Sequence, residues 1–199
     1  MGKGFSQIIK KSMLSLGLSA LCLIPMGNIA SAETAVDKKA SSSDAAINWQ
    51  EFHSVSGKCR MSFPDFPQHV TENMNVSEDG YSLRYDAYIS ALDKQTVFML
   101  LVAQYPDFVD ETYARMSLEG FLNGVLNHNP GNQLIFADLL LVEGHEALDF
   151  LIRTGTVYFK GRAMMVKNSL YLMAMECEIQ TYNENHYSSF VNSFKLSTK

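Results

Sequence analysis

An α+β fold, an antiparallel β-sheet sandwiched by helices in a single domain, is what three features of this sequence predict. The elements come in runs: several strands, a helix, more strands, a last helix. That order belongs to an antiparallel α+β sandwich and not to a doubly wound parallel sheet. Two segments, Thr96–Tyr105 and Ser169–Cys177, are apolar at almost every position, as strands covered on both faces must be. Two others, Ala114–Val125 and Tyr187–Phe194, carry apolar residues at helical spacing, one stripe each.

Before the fold comes a leader. Lys3, Lys10 and Lys11 precede the apolar run Met13–Ile24, Pro25 and Gly27 break it, and Ala30-Ser31-Ala32 supplies a small-x-small cleavage site. Residues 1–32 are therefore expected to be a bacterial-type secretory signal, with retention as an anchor the alternative. The run is shorter than the roughly 20 apolar residues of a comfortable membrane span, and no stable span is expected once it is removed. Cys22 is preceded by Leu21, where a lipobox needs a small residue. Residues 33–47, polar and aperiodic, are expected to be a flexible linker. The domain is expected over residues 48–199, and the protein in the periplasm or secreted.

The chain has 16 Lys and Arg against 21 Asp and Glu; losing three lysines and no acid with the leader moves its formal charge from −5 to −8. Such a chain repels phosphate backbones and anionic membrane surfaces, so no nucleic-acid partner is expected.

Order begins at Trp49 and Phe52. Cys59, Met61 and Phe63 then alternate with Lys58, Arg60 and Ser62 in a half-buried strand that Pro64 and Pro67 end. His69–Val76 is a weaker strand with Val70, Met74 and Val76 inward, and Ser77–Gly80 has the residues of a hairpin turn. In Tyr81–Ile89, Tyr81, Leu83, Tyr85, Ala87 and Ile89 share one face, with Ser82, Arg84 and Asp86 opposite. Thr96–Tyr105 follows as a central strand, closed by Pro106. Asp107, Asp110 and Glu111 sit where acids favour a helix start, and Asn127–Gly131 stops the helix. Gln133–Val142 is a strand. Gly144–Glu178 is expected to hold three more, broken near Gly155 and Gly161. Thr181-x-x-Glu184 fits a capping box for the last helix.

The motifs SGKCRMSFPDFP, VEGHEALDF, SLYLMAM and FVNSFKL, in this order of elements, resemble the PsbP-like fold superfamily, which includes periplasmic DcrB-like proteins. The resemblance spans Trp49–Lys199. It implies an antiparallel sheet between helices, used mainly as a binding or accessory module. The positions that match, Gly57, Pro64, Gly144, Tyr171, Phe190 and Phe194, are structural, and no catalytic residue is carried over.

Residues that could carry chemistry are few. His145-Glu146-Ala147-Leu148-Asp149 recasts a zincin motif with Asp149 in the second histidine's place, and in a strand its residues split between two faces. His53, His69, His128 and His186 are scattered near element ends. There is no Gly-x-Ser-x-Gly elbow and no glycine-rich phosphate loop. Two cysteines, Cys59 and Cys177, survive loss of the leader. In an oxidising compartment they invite a disulfide, worth about 4–5 kcal/mol for loops near 100 residues, if their strands are neighbours; otherwise both are buried thiols. Met173, Met175 and Cys177 share a face, as do Cys59 and Met61. Thioether and thiolate groups suit Cu(I), but methionine in an apolar run is also an ordinary core filler. No metal, cofactor or catalytic residue is assigned. The reading that results is an exported, non-enzymatic binding or accessory domain with a protein partner in the bacterial cell envelope. The alternatives are a carrier of a small apolar ligand and a hydrolase whose catalytic residues are distant in sequence.

Overall fold

The computed structural model describes residues 47–75 and 82–197. The leader, all but the last residue of the linker, and the Ser77–Gly80 turn lie outside the described residues. Among the described residues no helix is long and apolar enough to cross a membrane.

The chain runs β1 (Gln50–Ser54), β2 (Cys59–Phe63), β3 (Gln68–Asn75), β4 (Ser82–Ala91), β5 (Thr96–Gln104), α1 (Ala114–His128), β6 (Asn132–Val142), β7 (His145–Thr154), β8 (Val157–Val166), β9 (Ser169–Glu178), α2 (Glu184–Asn192) and β10 (Lys195–Leu196). Seven strands form one sheet in the order β3-β4-β5-β9-β8-β7-β6, antiparallel at every join. A small sheet, β1-β2-β10, lies apart from it. This is a single α+β domain, as the sequence predicts.

Both faces of the large sheet are covered, so the middle strands must be apolar on both sides. On β9, Leu170, Leu172 and Ala174 point into the core that α1 closes with Ala114, Leu118, Leu122 and Val125. Tyr171, Met173 and Met175 point the other way, into a core closed by β2 and by Tyr187, Phe190 and Val191 of α2. The β2 residues Cys59, Met61 and Phe63 are 0–1% exposed, so the small sheet and α2 together form the second cover. The predicted helical stripes are those the two helices bury, save that Phe121 is only partly buried and Phe194 lies beyond the end of α2.

Two local expectations are corrected. Gly161 does not break a strand: it is the middle of β8, and the turn after β8 falls at Lys167 and Asn168. Glycine is there for space. A Cβ at Gly161 would lie 2.7 Å from Phe150 Cζ and 3.2 Å from Leu172 Cδ1, and Phe150 is fully buried. The cap of α2 is Asn183, whose side chain accepts from the N–H groups of Asn185 and His186. Thr181 instead donates to the Glu178 carbonyl at 3.0 Å, which holds it in the turn before the helix. The expected Val76 strand end lies outside the described residues.

Candidate functional site

A cleft is built by the loop Val55–Lys58, which joins β1 to β2 and presses on the end of the large sheet. Ser54 Oγ accepts from the Gly57 N–H at 2.9 Å and bonds the Tyr88 hydroxyl at 2.8 Å. The Tyr171 hydroxyl donates to the Gly57 carbonyl at 2.9 Å. A Cβ at Gly57 would sit 2.7 Å from Ser54 Oγ and 3.1 Å from Val102 Cγ2, so only glycine lets the loop lie this close. The Ser197 N–H donates to the Lys58 carbonyl at 2.8 Å and brings the residue after β10 against the same loop. Between the loop, the strand ends and the β8–β9 turn lies a cleft of about 470 Å³. Val102, Val166, Tyr171 and Leu196 give it apolar wall; Lys58, Arg84 and Lys167 give it positive charge, with His145 beside them; among the described residues Asp86 is the one carboxylate that lines it.

Asp86 is 5% exposed although its strand pattern places it opposite the apolar face. Burial alone would raise its carboxyl. Hydrogen bonds from Thr71 and His69, with the charges of Arg84 and His69, outweigh that and hold it below the usual carboxylate range. His69 Nε2 lies 2.8 Å from Asp86 Oδ1 and 3.0 Å from Thr71 Oγ1, and its ring stacks on Tyr88 at 4.5 Å. A nucleophile–base relay uses opposite nitrogens of the imidazole, one for the orienting acid and one for the nucleophile. Here one nitrogen meets both neighbours, the geometry of a brace between β3 and β4.

The zincin-like stretch is strand β7. Asp149 makes a two-toothed ion pair with Arg162 at 2.6 and 2.7 Å, and His145 Nδ1 lies 3.2 Å from Glu111. Their partners differ, so the stretch does not converge on one point. Among the described residues no group of three or more His, Cys, Asp and Glu is placed to hold a metal. His53 pairs with Glu51 on the surface at 3.0 Å.

Of the two readings open for the cysteines, a disulfide or two buried thiols, the second describes their environment. Cys59 and Cys177 are both free and both buried. Cys59 sits beside the Gly57 loop that Tyr171 holds. Cys177 is six residues further along β9, about 20 Å at strand rise, and a disulfide needs Cα atoms within about 7 Å. Met61, Met173 and Met175 are buried with both cysteines in the core beneath β2 and α2. Burial pushes the Cys59 thiol up to about 12. Burial, with the nearby charges of Glu176, Asp93 and Glu178, pushes Cys177 up to about 11. Both are therefore poor thiolates.

A second surface stands at the sheet edge. On β6, Leu134 is 43%, Ile135 52%, Leu139 42% and Leu141 71% exposed. The strand has eleven residues and one charge, Asp138. Near it, Lys160 carries its ammonium 4.5 Å from the Tyr187 ring centre and donates to Tyr182 at 2.9 Å and Glu184 at 2.6 Å. Burial opposes that charge, but the two bonds prevail and raise its affinity for the proton. This group straps β8 to the start of α2. Neither Asp86 nor Lys160 stood out in the sequence, because each is charged for a partner on another strand or helix.

Together these features define an α+β sandwich with two open surfaces. No family model matches the sequence, and no curated protein does. In structure the chain is similar to cyanobacterial PsbP (CyanoP) from Synechocystis sp. PCC 6803. The match has a TM-score of 0.52 at 10% identity and covers 79% of this chain and 98% of that one. A Bacteroides thetaiotaomicron VPI-5482 protein is also similar, at TM-score 0.42 and 8% identity, over 75% of this chain and 48% of that one. The fold is PsbP-like.

Proposed function

We propose that this chain is an exported, non-enzymatic binding domain of the bacterial cell envelope that takes an extended segment of a partner protein onto its β6 edge. The observation that carries this is the contrast between the two edges of the large sheet. β3 has the sequence QHVTENMN, mostly polar, with Glu72 and His69. That is how natural sheets protect an edge. β6 has the sequence NQLIFADLLLV and leaves four large apolar side chains in water. An added eighth strand would satisfy the open backbone groups and cover these side chains. The exposed Asp138 favours a basic residue opposite it. Fully burying one leucine contributes about 1.5–3 kcal/mol, enough for tenfold or more in affinity. The alternative of an apolar carrier has less support, since charged side chains line the cleft under the Val55–Lys58 loop.

The test is photo-crosslinking in whole cells from a reactive residue at position 139 or 141, with position 72 on β3 as control. An adduct heavier than the chain by a partner's mass, formed from β6 and lost when the other leucine is replaced by lysine, is the expected result. No adduct from β6, or equal adducts from both edges, overturns the proposal. An adduct of twice the chain mass replaces the partner with a second copy.

A further inference from the structure

We propose that the cleft under the Val55–Lys58 loop binds a small organic dianion, a compact apolar body carrying two negative charges. Its volume, about 470 Å³, falls in the range of small-molecule sites. Three cationic residues from separate parts of the chain line it, Lys58 in the loop, Arg84 on β4 and Lys167 in the β8–β9 turn, against, among the described residues, the one carboxylate of Asp86. That convergence occurs in a chain with a net charge of −5.

The two lysines share with Glu143 a backbone conformation that side-chain-bearing residues seldom adopt. Lys58 has φ 48° and Lys167 φ 55°. This left-handed region is one that glycine enters freely and a side chain with a Cβ does not. Gly155, with φ 60°, takes this conformation as the first residue of the two-residue turn between β7 and β8, and Glu143, with φ 53°, takes it as the first residue between β6 and β7. Lys167 holds the same position between β8 and β9. Backbone outliers of this kind can mark ligand sites; of the three side-chain-bearing residues with positive φ, two line the cleft and the third, Glu143, pairs with Lys195. Neither lysine is used in an ion pair among the described residues, whereas Lys160 and Lys195 are paired with Glu184 and Glu143.

The negative charges nearby are already engaged. Asp86 Oδ1 meets His69 and Thr71, and Oδ2 lies 3.6 Å from Arg84. Glu111, at the rim, accepts from the Lys167 N–H at 2.8 Å and lies 3.2 Å from His145. Asp107 accepts from Asn168 at 3.1 Å. The ammonium groups of Lys58 and Lys167 are left to a guest. Val102, Val166 and Leu196 give that guest's carbon body an apolar wall, so a bare inorganic ion would use only half of the site.

The experiment titrates phenyl phosphate and phthalate, in low salt, into protein purified from the envelope of the expressing cell, with benzamide as the neutral control. At least one dianion is expected to bind saturably with Kd at or below about 1 mM, and benzamide to show no saturation. The tighter of the two dianions assigns the acid group as phosphate or carboxylate. Lys58→Gly and Lys167→Gly should each weaken binding by about tenfold or more, while Tm stays level or rises because glycine suits both backbones. Lys195→Gln, away from the cleft, should bind as the parent does. The proposal is overturned if neither dianion saturates, if benzamide saturates as well as they do, if the glycine variants bind like the parent, or if Lys195→Gln weakens binding equally. None of these outcomes depends on the β6 edge.

Discussion

Gly161→Ala is the substitution that most directly tests how the large sheet is packed. If Gly161 stood at a break between strands, an added methyl group would meet solvent. In the structure it would meet Phe150 Cζ at 2.7 Å, Phe150 Cε1 at 3.0 Å and Leu172 Cδ1 at 3.2 Å. Phe150 and Leu172 are both 0% exposed, so neither has room to retreat. Forcing extra volume into a packed core costs about 1–3 kcal/mol. Alanine recovers about 0.5–1 kcal/mol by restricting the unfolded chain. The net loss centres on about 1 kcal/mol, or about 2–4 °C in Tm for a domain of this size. Urea unfolding followed by fluorescence of the single tryptophan reads this well. Trp49 packs on Phe98 and Phe190, with ring centres 5.5 and 6.5 Å away, on the opposite face of the sheet. It therefore reports unfolding without touching the mutated site. Phe150→Leu removes the ring atoms that collide and is itself destabilising, but in the double variant the two losses should fall short of their sum by about 1 kcal/mol. A Gly161→Ala variant as stable as the parent, or a strictly additive double variant, would refute this packing.

Two further outcomes follow from the buried ionisable groups. The Asp86 carboxyl is held below its unfolded value of 3.8, so the stability it contributes is complete above that pH and is lost as pH falls through the folded value. Unfolding free energies measured at neutral pH and at about pH 3 should differ less in Asp86→Asn than in the parent; an unchanged acid limb contradicts the brace. Cys59 and Cys177 should react slowly with a thiol reagent in the native protein and freely in denaturant, as peptide mapping of the labelled sites would record. A Cys59–Cys177 crosslinked peptide would overturn their assignment as thiols.

The sequence revealed the parts of the fold whose signal is local. Ala114, Leu118, Leu122 and Val125 mark one helix face, and the apolar run of Leu170–Met175 marks a strand covered twice, because each element's burial repeats along its own residues. Signals that need a distant partner stayed hidden. Gly161 looks like a turn until Phe150, on the neighbouring strand, claims the space above it. Thr181 and Asn183 are both good caps, and the backbone decided between them only when the Ile179–Thr181 turn formed. Asp86 reads as solvent-facing because alternation cannot show that β1 and β2 fold back over that face of the sheet. β1 escaped notice as a strand, being short and paired only with β2. The cleft was invisible for the same reason: Lys58, Arg84 and Lys167 meet only after the loop is fastened to Tyr88 and Tyr171.

Structural similarity to CyanoP at 10% identity speaks to one set of residues only. A fold is maintained by what is buried, and buried positions accept many apolar residues so long as volume and pattern are kept. Function rests on residues that the fold does not require. In this chain such residues can be picked out by asking where the folding rules are broken at a cost. Lysine stands where the backbone suits glycine at positions 58 and 167. Leucine and isoleucine stand in water along a sheet edge at positions 134, 135, 139 and 141. Glycine at the first pair, and polar residues at the second set, would serve folding as well or better. Two of the three side-chain-bearing residues with positive φ line the cleft, and four exposed large apolar side chains stand together on one strand, β6, while the opposite edge, β3, is mostly polar; these are the physical grounds for proposing binding at the cleft and at β6.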